Sequence, residues 1–215
     1  RELAAKGSFA RAAEALQGSL SSTPPEGQLE LLLELARIGE TALADSEMAE
    51  SAYRRVRMLH PQAIEALTFF SEWHVEQKDA RRAYAVCAQL HGQLESADAR
   101  GDRVDLARKM AHIAAQDLQS QEKEIEAWKR LLEDKAQDAE ANERLRSVYR
   151  SSERWAALAD QLEQWAESLP DKERERRVEL LFELTELYQN ASRLPSEEKL
   201  LEAYRRIAQD APENE

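Results

Sequence analysis

Three stretches of this chain are copies of one another. Glu122–Leu145 reads EKEIEAWKRLLEDKAQDAEANERL. Its middle recurs as EMAESAYRRVRMLHPQAIEAL over Glu47–Leu67 and as EEKLLEAYRRIAQDAPENE over Glu197–Glu215. Superposition puts Tyr53, Trp128 and Tyr204 in one column, each preceded by Ala and followed by a basic pair, at separations of 75 and 76 residues. A period of this kind makes each copy a supersecondary unit that cannot bury its apolar face alone, so neighbouring units must stack to build a core.

The units are helical. Only six Gly and six Pro punctuate 215 residues, good helix formers dominate, and β-branched residues are few. Apolar spacing and turn residues predict helices at Phe9–Leu20, Leu29–Ile38, Glu47–Leu59, Ala63–Gln77, Ala80–Leu94, Arg103–Leu118, Glu122–Leu132, Ala139–Arg150, Trp155–Ser168, Lys172–Tyr188 and Glu197–Ala208. Arg1–Lys6 reads as the end of an earlier helix stopped by Gly7-Ser8, and Asp171 as the cap of the helix after Pro170. Glu95–Asp102 holds Ser, Asp and Gly but no large apolar residue and is expected to be a flexible loop.

Alternate helices carry a residue pair four apart: Ala12/Leu16, Ala49/Tyr53, Ala83/Cys87, Glu124/Trp128, Leu158/Leu162 and Leu200/Tyr204. The helices before the second, fourth and sixth pairs are enlarged, and Leu29–Gly39, Val104–Ala114 and Val178–Tyr188 align. The repeat is therefore one ordinary hairpin plus one enlarged hairpin. Within a hairpin the first helix is denoted A and the second B.

At these residues the chain resembles tetratricopeptide repeat (TPR) proteins. Ala49-x-x-x-Tyr53…Pro61 and Leu200-x-x-x-Tyr204…Pro212 match the second half of the TPR motif, and Leu67-x-x-Phe70-Ser71-x-x-His74 stands where its first half would be. No copy has the full first half, and Ala136 replaces the proline in the second. Glu153-Arg154-Trp155-x-x-Leu158 resembles the degenerate arrays of large bacterial adaptor proteins. The resemblance implies an all-α, right-handed superhelical solenoid of about five and a half hairpins, spanning residues 1–215 as one segment cut from a longer array. It implies a non-catalytic scaffold that binds a protein or peptide on its concave A-helix face, with a structural spacer as the alternative. Its expected compartment is the cytoplasm. The uncovered ends, at Leu3 and along Leu200–Ile207, are expected to fray or to pair end to end with a second molecule.

A formal charge of −12 counts against nucleic acid and anionic membranes as partners, leaving a helical-repeat nucleic-acid reader as the weakest alternative. One cysteine, Cys87, cannot form an internal disulfide, and four scattered histidines do not converge on a metal. No phosphate loop or nucleophile motif occurs, so no cofactor is expected. The A-helix positions Glu65, Thr68 and Glu72, then Glu143, Arg144 and Ser147, lack the Lys/Asn pattern of a carboxylate clamp.

The candidate binding residues are Glu65, Phe69, Glu72, Trp73 and Glu76. Phe70 falls in the core column, which puts Phe69 one step off it, with Trp73 four residues further along the same stripe. An aromatic pair rimmed by acids suits a partner segment with apolar and basic residues. Tyr53, Trp128 and Tyr204 are expected instead to fill the gap between A and B helices.

Overall fold

The computed structural model describes residues 2–94, 99–190, 194 and 196–210, with the backbone alone for 2–6. The fold is all-α. Among the described residues there are eleven α-helices and no strand: α1 Glu2–Ser22, α2 Leu29–Arg37, α3 Ser46–Leu59, α4 Ile64–Glu76, α5 Ala80–Gln93, α6 Arg100–His112, α7 Gln121–Asp134, α8 Ala139–Ser151, α9 Trp155–Ser168, α10 Arg174–Gln189 and α11 Glu197–Asp210. They fall into two compact units, Arg1–Glu95 and Ser96–Glu215. Within each unit, helices pack on their neighbours in sequence, α2 on α3 and α4 on α5 in the first, α6 on α7, α8 on α9 and α10 on α11 in the second.

The 75-residue period is written into the backbone. α2 runs on into a π-helical turn, Ile38–Leu43, and α6 into another, Ile113–Asp117. Each is followed by a left-handed residue, Ala44 (φ 52°) and Gln119 (φ 49°), and then by an N-cap. Asp45 accepts from the Met48 N–H at 2.9 Å, and Ser120 from that of Lys123 at 3.5 Å. Lys78 (φ 56°) and Glu153 (φ 55°) are also left-handed, before α5 and α9, but no π-helical turn precedes them. A single extra residue per turn lets the enlarged A helix swing back onto its B helix. In the first unit the approach is closest at Gly39, where a Cβ would lie 2.9 Å from the backbone nitrogen of Ala49.

The helical columns are the cores. Ala49, Val56, Leu67, Ala83 and Cys87 are sealed in the first unit, and Met110, Trp128, Leu131, Leu145, Leu158, Leu162 and Leu181 in the second. Tyr53 is 7% exposed and Trp128 1%, as their column predicts, but Tyr204 is 41% exposed. Tyr53 and Trp128 lie under the hairpin that follows, whereas no helix follows α11 among the described residues. Leu201 on the same helix is 57% exposed, while Ala203 and Ile207 are buried against α10.

Four sequence expectations are corrected. Gly7-Ser8 does not end a helix but lies inside α1, since glycine's cost of about 1 kcal/mol in a helix interior is too small to stop a long one. α6 begins at Arg100, three residues early, and residues 95–98 of the expected loop lie outside the described residues. Asp171 is not a cap: it opens a 3-10 turn, and its carboxylate faces Arg177 at 3.4 Å. Tyr204 does not fill a gap between helices, because its ring is exposed. Phe69 is half-buried between the rings of Tyr53 and Trp73.

Candidate functional site

The site is built on α4. Its buried stripe is Ala66, Leu67, Phe70 and Ser71, so the neighbouring stripe at helical spacing, Glu65, Phe69, Glu72 and Glu76, faces outward. These four, with Trp73, line one cleft of about 480 Å³ together with Glu40, Ser46, Tyr53, Ile64 and Thr68. The geometry thus brings all five sequence-selected residues together. Phe69 stacks on Tyr53 (centroids 4.6 Å, planes 28° apart) and on Trp73 (5.6 Å, 21°), and meets Phe70 edge-on at 5.2 Å. Three nearly parallel rings therefore form the apolar wall, each such pair contributing about 0.5–1.5 kcal/mol beyond its buried area.

Around this wall stand four carboxylates, and the lining includes no Lys or Arg. Glu40, on the π-helical turn after α2, accepts a hydrogen bond from the Tyr53 hydroxyl at 3.1 Å. Burial, then the charge and hydrogen bond of Glu40, push that hydroxyl up to about 12, against a smaller opposing effect of Arg37. Arg37 is itself held by Glu34 at 2.8 Å. A second depression, about 610 Å³, adjoins the cleft through Glu65 and is lined by Leu29, Leu33, Leu59 and the His60–Ala63 turn. The A face of the first unit thus offers an acidic aromatic cleft beside an apolar one.

Ile64 and Thr68 share the stripe of Glu65 and Glu72, so helical spacing alone could have found them. Glu40 could not be found that way, because its reach to Tyr53 depends on the π-helical turn. The basic pairs after the aromatic column do not form a row of anion sites: Arg54 pairs with Glu50, Arg55 donates to Gln28 at 2.6 Å, and Arg130 pairs with Glu126 at 2.7 Å. Cys87 is buried in the core. Among the described residues no group of three His, Cys, Asp or Glu could hold a metal ion, and no helix is long and apolar enough to cross a membrane.

No protein-family model matches the sequence, and no curated protein matches it. Among solved structures it is similar to YrrB, described as a TPR protein with an unusual peptide-binding site, at 14% identity over 94% of this chain and 95% of that one, with a TM-score of 0.45. It is similar to MamA at 14% identity over 86% and 92% (TM-score 0.40), and to PilF of Pseudomonas aeruginosa at 12% over 99% and 95% (TM-score 0.39). Superpositions at this level are loose, and the hairpin architecture stands on the helix packing and the backbone period described above.

Proposed function

We propose that this chain is a non-catalytic interaction module, and that its first unit binds a peptide segment of another protein along α4. The observation that carries the reading is the cleft itself: three stacked rings, partly open, in a wall whose charged lining residues are all acidic. Partly exposed aromatic residues in a preformed concavity are the usual anchors of a binding surface. The adjoining Leu29/Leu33/Leu59 depression accommodates an apolar side chain, so the partner segment carries apolar and basic residues a few positions apart.

Selecting a random peptide display library on the purified chain tests this. The selected peptides are then titrated against Thr68→Arg, which places a long cation in the cleft from an exposed position. Binding is expected to fall at least about tenfold with the melting temperature unchanged. Peptides that bind Thr68→Arg as tightly as the parent, or that select a site in the second unit, overturn the proposal.

A further inference from the structure

The two units answer the same question differently. Seventy-five residues after Glu65 stands Glu140, and its carboxylate is held by Arg108 of α6 at 3.0 Å. The counterpart of Arg108 in the first unit is Leu33, and the counterpart of Asp138, the other acid that Arg108 grips at 2.7 Å, is Ala63. The acid has been kept and its arginine has not. Elsewhere in the second unit an arginine combines carboxylate and ring: Arg176 lies over Trp165 at 4.9 Å, pairs with Glu179 at 2.7 Å and also bonds Glu143. In the first unit, Phe69 and Trp73 supply the ring and Glu65 and Glu76 the acids, and neither glutamate forms an ion pair among the described residues.

We infer that the cleft recognises an arginine side chain of the bound segment, its guanidinium continuing the Tyr53–Phe69–Trp73 stack and its N–H groups donating to Glu76, with Glu65 adding negative charge about two turns from Trp73. This rests on the peptide-binding reading above and specifies its ligand. A planar guanidinium extends a stack of parallel rings and forks onto carboxylates. Lysine can also sit over a ring, as Lys199 does over Tyr188 at 5.7 Å, but an ammonium is a point charge with no plane to stack.

The test uses three acetylated, amidated pentapeptides, Leu-Ala-Ala-X-Ala, in which X is arginine, lysine or citrulline, the last keeping the shape and losing the charge. Each is titrated to millimolar concentration while the indole N–H resonance of Trp73 is followed by NMR. The arginine peptide is expected to shift that resonance and to bind about fivefold more tightly than the lysine peptide, and at least about tenfold more tightly than the citrulline peptide. Glu76→Gln, at an exposed position, should weaken the arginine peptide severalfold and leave the citrulline peptide unchanged, and Glu65→Gln, also exposed but about 16 Å away along α4, should weaken it less. If all three peptides move Trp73 with affinities within twofold, the guanidinium assignment falls and the cleft remains a peptide site. If none moves Trp73, the guanidinium assignment also falls, and the display selection decides separately whether the cleft binds peptides at all.

Discussion

The α3–α4 junction and the α7–α8 junction are the same two helices in two copies, fastened by different chemistry. In the first, Tyr53 of α3 stacks on Phe69 of α4, and its hydroxyl reaches out to Glu40. In the second, Trp128 is sealed, its indole N–H donates to Glu124 one turn back at 3.3 Å, and His112 meets its ring edge-on. Where α4 has Ala63 at its N-cap with no side-chain bond, α8 has Asp138, which accepts from the Ala141 N–H at 3.1 Å and pairs with Arg108 and Lys135. The repeat fixes the backbone and the apolar column, and it leaves the polar fastenings free to diverge. Where the fastening is internal, the acids of the A face are neutralised by arginines of the same unit. Where it is aromatic, Glu65 and Glu76 are left facing solvent.

The largest expected effect tests the shared column. Trp128→Ala should destabilise the second unit by about 3–5 kcal/mol, through lost burial and the cavity left behind. Phe69→Ala, removing a half-buried ring from a stack, should cost the first unit only about 1–3 kcal/mol. Residue-resolved amide exchange of each variant separates the units. Equal losses would mean that Phe69 is core and that the cleft is not an open surface.

The next largest asks whether the fastening can be moved between copies. Asp138→Ala removes a cap and the partner of Arg108, and should cost about 1–3 kcal/mol. Ala63→Asp alone should add less than about 1 kcal/mol. Leu33→Arg combined with Ala63→Asp recreates the second unit's arrangement and takes up Glu65. The double variant should exceed the sum of the singles by at least about 0.5 kcal/mol. It should also weaken any arginine peptide. Strict additivity in denaturant titrations would show that the copies are not equivalent at this position.

Acid distinguishes the units more gently. Burial, joined by the charges of Arg82 and Arg57 and opposed by those of Asp79 and Glu50, holds the His74 imidazole below its ordinary 6.5. The folded first unit therefore favours the neutral ring, and the stability this contributes is present in full above pH 6.5 and lost as pH falls through the lowered value. Asp138 behaves likewise at a lower pH. Burial raises its carboxyl, but the bonds from Lys135 and Ala141 and the charge of Arg108 outweigh it and hold it below 3.8. Near pH 5 amide exchange should thus quicken in α4 and α5 while α8 stays protected. Parallel loosening of both would sink the contrast. Alkaline pH is no such discriminator, since Tyr53 in the first unit and Tyr149 and Tyr188 in the second are all pushed up.

Much of this was legible in the sequence because it depends on spacing. The 75-residue period follows from superposing the copies, and the helices, the column of Ala49, Ala83 and Leu158 and that of Tyr53 and Trp128 follow from residues recurring at helical spacing. The stripe of Glu65, Phe69, Glu72, Trp73 and Glu76 was found the same way. What depends on helix-to-helix geometry was not legible. A π-helical turn has no side-chain signature, so Glu40 could not be placed beside Tyr53. Glu124 stands four before Trp128 where the other pairs begin with Ala or Leu. Its carboxylate accepts from the indole N–H, which bonds back along its own helix where the Tyr53 phenol reaches Glu40. Tyr204 matches its column in sequence, yet burial is conferred by the next helix and not by the residue.

The smallest expected effect has a sign that decides between the two halves of the comparison. In the second unit Arg103 pairs with Asp134 at 2.8 Å, Arg108 with Glu140 at 3.0 Å, and Arg146 with Glu183 at 2.6 Å. Such partly exposed pairs contribute about 0.2–1 kcal/mol each and weaken as salt shortens the screening length from about 10 Å at 0.1 M to about 3 Å at 1 M. Around the cleft of the first unit, Glu40, Glu65, Glu72 and Glu76 carry like charge, and screening relieves their repulsion. Raising NaCl across that range should therefore cost the second unit less than about 1 kcal/mol while leaving the first level or slightly firmer. Occupation of the cleft by an arginine peptide should reverse this, because Glu76 then holds an opposite charge and the first unit acquires the second's salt dependence. Amide exchange in α4 at low and high salt, with and without the peptide, reads the sign directly. Protection of α4 that falls with salt when the cleft is empty, beyond any fall in α2 and α3, where Arg37 pairs with Glu34 and Arg54 with Glu50, would mean the cleft acids are already neutralised from within. The contrast between the copies would then be gone.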